Sequence, residues 1–221
     1  MIEFILGPFA VWAPYVFLFG ALASAVFFYI KKFSAKWYWV LVWATLGFKA
    51  LFAAFLSWGQ YFVWLRGGEF TQTFLNTPLS ADTPDTVLTF VTKLFRPLFE
   101  TEKGYFLFYA YSRFWINLIV LIVAAIGFWL FLKMLKKYRA RFFDTGEVEL
   151  GFLMALVAGW PGFLVFVPLV FLAVVFVSIF RGIFLKEAYT TLGWPMLLAA
   201  LLTLIWGSSL IDLLNLGVFR I

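Results

Sequence analysis

Long apolar runs, separated by short clusters of charge, make up almost the whole chain. The first run ends at Ile30 and gives way to Lys31, Lys32 and Lys36. A membrane helix needs about 20 apolar residues, so this run predicts a span at 10–30. A second span is predicted at 37–65, long enough to tilt. Trp37, Tyr38 and Trp39 stand at one end of it and Tyr61 and Trp64 at the other, where amphipathic rings settle at a membrane interface. A third span, at 110–132, runs into the densest basic cluster of the chain, Lys133, Lys136, Lys137, Arg139 and Arg141. From Leu150 to Phe180 the sequence is again almost wholly apolar. A straight helix over that stretch would be about 46 Å long, well beyond a hydrocarbon core of about 30 Å. Gly159-Trp160-Pro161-Gly162 in its middle is a cluster of helix breakers, which predicts two segments, 148–159 and 161–180. A last span falls at 194–213.

The loop at 66–104 is the one long connection. Within it, Asp82 or Thr83 can cap a helix that has Pro84 at its first position and Asp85 in its first turn. Val87, Phe90, Val91, Leu94, Phe95 and Leu98 then recur at helical spacing. An amphipathic helix over 82–99, lying in the membrane interface, is the expectation.

Composition agrees with lipid as the solvent: 65% of the residues are apolar and 13% charged. A soluble domain sits near half apolar and a quarter charged. The predicted fold class is therefore all-α, a polytopic helical bundle of about six membrane segments forming one domain over 1–221. The net charge of +6 sits in loops rather than on a face. That is the pattern of an orientation signal and argues against nucleic acid as a partner. It places 31–36, 133–147 and 181–192 on the cytoplasmic side, with the N-terminus and the 66–104 loop outside, in a cell inner membrane. Glu3 in place of a basic cluster, and the lack of an A-x-A-like site after the first apolar run, predict that this run stays as an anchor. The chain has no Cys and no His, so thiolate or imidazole metal sites and Ser-His-Asp chemistry are excluded, and no cofactor or metal is expected. Catalysis would have to use carboxylates, Lys, Arg, Tyr or hydroxyls.

The stretch 142–207 carries a more specific pattern. Asp144-Thr145-Gly146-Glu147-Val148-Glu149-Leu150 is followed by GFLMALVAGWPG, an apolar span, a basic loop with Arg181 and Lys186, TLGWP at 191–195, and MLLAALLTLIWG. This resembles the membrane half of type IV prepilin peptidases and their archaeal preflagellin relatives, which carry a GxGD motif, an Ala/Gly-rich segment, and a P-F-G-P-like turn before the last span. The resemblance implies a cytoplasmic-edge pair of aspartates, with Glu147 at the GxGD aspartate and Asp144 at the motif's first Gly. The partner aspartate belongs in the loop after the first span, yet Lys31-Lys32-Phe33-Ser34-Ala35-Lys36 contains no acid. Glu is also longer than Asp by a methylene, a displacement of the scale that can cost about a hundredfold in rate.

Glu147, Asp144 and Glu149 are the candidate catalytic residues; they also fit an ordinary acidic helix N-terminus. Lys49, near the middle of the second span, is a costly intramembrane charge that needs a partner or a wet cavity. Three functions follow. The leading one is a non-catalytic binding or scaffold relative of prepilin peptidase, in contact with the lipid bilayer and with an apolar, pilin-like helix. The second is an active aspartyl-type endopeptidase using Glu147 and another carboxylate. The third is a small transporter or channel subunit with Lys49 in its path.

Overall fold

A computed structural model describes residues 5–79, 96–185 and 191–219. Among these residues every regular element is helical, and the chain is an all-α, helical-bundle membrane protein. The long helices are α1 (Ala10–Ile30), α2 (Ala35–Arg66), α3 (Gly104–Tyr138), α4 (Glu147–Ala158), α5 (Gly162–Phe180) and α6 (Gly193–Leu213). Five helices are long and apolar enough to cross a membrane, so the protein is multi-pass. The sixth expected segment, α4, is a helix of 12 residues, about 18 Å long, and does not reach across by itself. The expected interfacial helix at 82–99 lies almost wholly outside the described residues; the part inside them is the single turn Arg96–Phe99.

The chain divides into two compact units, which share the lengths of α2 and α3 between them. One comprises Ala50–Ile116 with the stretch up to Val11. Its packing is aromatic: Leu75, Phe106 and Ala110 form a small core against Tyr61, Trp64 and Phe114. The Trp115 indole N–H donates to Ser57 Oγ at 3.1 Å, satisfying a donor that lipid could not.

The other unit comprises Trp12–Lys49 and Asn117–Arg220. Its centre is α4. Leu150, Leu153, Met154, Ala155, Leu156 and Val157 have no exposed surface at all. They are enclosed by Leu22 and Ala25 of α1, Val42 of α2, Leu121 and Phe128 of α3, Phe166 of α5, and Met196 and Ala200 of α6. A helix walled in on all sides has no polar face, which is why its sequence is apolar all round. The alanines of α1 and α6 let these backbones come close. On the outside, Trp43, Leu172 and Phe176 stay exposed, as lipid-facing side chains do.

The breaker tetrad separates α4 from α5. Gly159 adopts φ 71° and ψ 170°, a region open essentially to glycine, and Trp160 donates from its indole to the Phe219 carbonyl at 2.9 Å. The turn at 159–161 is thus tied down by protein, as non-helical backbone at membrane depth must be.

Candidate functional site

Residues from the ends of α1 and α5 and the starts of α2, α4 and α6 meet at one end of the larger unit, around Glu147. The chain enters α4 through Gly146 at φ 85°, in the left-handed region. Only glycine fits there: a Cβ would come 2.7 Å from the Tyr38 ring. That turn drives Glu147 inward, where it is fully buried.

Three donors meet its carboxylate. Tyr29 of α1 donates its hydroxyl to Oε1 at 2.8 Å, and the Gly193 backbone N–H, at the start of α6, donates to the same oxygen at 2.9 Å. The Asp144 N–H donates to Oε2 at 2.9 Å, the reach-back geometry of a capping box. Tyr29 also shares a hydrogen bond with Thr191 at 3.0 Å, and its ring packs edge-on against Trp194. Gly193 is required by that packing, because a Cβ would overlap the Tyr29 ring. Burying an unpaired carboxylate is prohibitively costly, and these three bonds are what permit it.

Above this network opens a cleft of about 690 Å³, lined by Tyr29, Lys32, Ser34, Asp144, Arg181 and Thr191 among others. The structure therefore brings residues of the 31–36, 133–147 and 181–192 loops together at one end. Comparison with known proteins finds no matching family model, curated protein or solved structure.

The three acids singled out by sequence have separate roles. Asp144 meets Glu147 through its backbone, while its exposed side chain faces the cleft. Glu149 is half-buried two residues further along α4, on another side of the helix. Among the described residues no three acidic side chains gather closely enough to hold a metal ion. Lys49 lies elsewhere, about 21 Å along α2 from its start, with Nζ 3.7 Å from where a Cβ of Gly159 would sit. It thus approaches the C-terminal end of α4, the negative end of a helix dipole. As site residues Tyr29, Tyr38, Thr191 and Gly193 escape sequence reasoning, in which Tyr38 reads as an interfacial aromatic and TLGWP at 191–195 as a turn.

Proposed function

We propose that this protein binds or scaffolds other membrane components and does not cleave them, as a prepilin-peptidase-like chain whose motif acid has become a structural tie. The burial of Glu147 carries this reading: its carboxylate is fully enclosed and both oxygens are occupied by protein donors. Aspartyl proteolysis requires two carboxylates that share a proton and hold a water between them. A carboxylate with no exposed surface cannot hold that water or meet a peptide carbonyl. The Lys31–Lys36 loop adds cations where such an enzyme needs its second acid. The resemblance suggests the partner, an apolar helix of the pilin signal-segment kind.

The endopeptidase alternative draws on one observation, that Asp144 and Thr145 line an open cleft directly above Glu147. Reconstitution into nanodiscs with a prepilin and a preflagellin separates the two. The expected result is no cleavage by wild type, with site-specific photo-crosslinking to the substrate's apolar helix. Cleavage that disappears in Glu147→Gln would overturn the proposal.

A further inference from the structure

The Glu147 network closes the floor of the cleft and leaves its upper volume open. Two cations from different loops face that volume, Lys32 after α1 and Arg181 after α5. Ser34, Thr145 and Thr191 also line it. Ile30, Phe33 and Trp194 add apolar surface to the lining, and among the described residues Asp144 is its acid.

Lys32 is held there by an unusual turn. Phe33 N–H donates to the Phe28 carbonyl at 2.9 Å and Lys32 N–H to the Tyr29 carbonyl at 3.1 Å. The Phe28 and Phe33 rings pack with centroids 4.9 Å apart. This is a Schellman cap with its usual apolar contact, and the residue at its left-handed position is ordinarily glycine. Here that position is Lys32, at φ 53°. A side chain is thus retained where the backbone would prefer none, and it stands on the cleft.

The cleft opens at the ends of membrane-length helices, the level of lipid headgroups. Its volume falls in the range of small-ligand sites. Cations and hydroxyls suit the oxygens of a phosphate, and basic pockets between membrane helices take up phospholipid headgroups. An exposed carboxylate beside the cations would repel a bare anion, yet it suits a phosphate whose substituent carries its own donor. We propose that this cleft binds the phosphodiester headgroup of a glycerophospholipid, with the phosphate on Lys32 and Arg181 and a headgroup hydroxyl or ammonium on Asp144. Glycerol and ethanolamine headgroups supply such donors. Choline does not.

The test uses the full chain in nanodiscs of equal phosphatidylethanolamine, phosphatidylglycerol and phosphatidylcholine, with retained lipid read by native mass spectrometry. Ethanolamine and glycerol lipids should each be retained at least about fivefold over the choline lipid, the discrimination expected of one or two charge-assisted bonds. Lys32→Gly and Arg181→Gln should each lower retention about tenfold. Lys32→Gly relieves the left-handed strain, so its melting temperature should not fall, which separates lost binding from lost folding. Asp144→Ala should level ethanolamine against choline. Lys136→Gln with Lys137→Gln, which removes charge outside the cleft lining, should change retention by less than about twofold. Displacement by inorganic phosphate would assign the site to phosphate from water; persistence would assign it to lipid. Equal retention of choline lipid, a preference for phosphatidylglycerol alone, or an equal effect of the Lys136 and Lys137 pair would overturn the proposal.

Discussion

Tyr29, Asp144 and Gly193 all donate to one buried carboxylate, so changing Glu147 should be felt first as lost stability. In Glu147→Gln one oxygen becomes an NH2 group. Oε1 can keep its two donors, but a donor then faces the Asp144 N–H. A buried donor left unsatisfied costs about 1–3 kcal/mol, so denaturant unfolding in detergent should show a loss of that size. Glu147→Ala, which orphans both backbone donors and leaves Tyr29 with Thr191 alone, should lose more. Tyr29→Phe should lose about 1 kcal/mol, since Glu147 keeps its two backbone donors. A stability unchanged in all three variants would show that the network contributes nothing. The sequence flagged Glu147 and set Asp144 and Glu149 beside it, because those are its neighbours along the chain. Its structural partners Tyr29 and Gly193 lie 118 and 46 residues away, and no local spacing could reveal them. Tyr29 also reads as one more interfacial aromatic at the end of a span.

Among the elements, α4 departs most from what its sequence suggests. The breaker tetrad predicts segments at 148–159 and 161–180; the helix stops at Ala158 and the next begins at Gly162. Its enclosure was not legible, because an apolar run reads the same whether lipid or protein surrounds it. The difference is measurable. Leu156→Ala, in the walled-in helix, should cost about 2–5 kcal/mol by opening a cavity. Phe176→Ala, on the exposed face of α5, should stay within about 0.5 kcal/mol, since lipid refills the space. Equal losses at the two positions would contradict the burial described here. Lys49 was legible as an anomaly, but its place beside the α4–α5 turn depends on how α2 packs, which its own sequence does not state.

For the molecule as a whole, apolar run lengths were enough to read an all-α membrane chain, and five helices meet that length. The loop clusters carry a further expectation. The native chain has no Cys, so single cysteines at Ser34, Thr145 and Thr191 can be labelled without background. All three line one cleft and should react with an impermeant thiol reagent from the same side, which the basic loops predict to be the cytoplasm. Reaction from opposite sides would break this arrangement. The Glu147 network also bears on biogenesis. Two of its donors, Tyr29 and the Asp144 N–H, precede Glu147 in the chain and the third comes from the start of the last helix, so a nascent chain holds an incompletely satisfied carboxylate until residue 193 has left the ribosome. The short α4 then has neither the length to anchor itself nor the full set of donors for its first polar group. Co-translational insertion should therefore leave α4 unsettled until α6 arrives, and chains stalled before Gly193 should be the ones that membrane quality-control proteases remove.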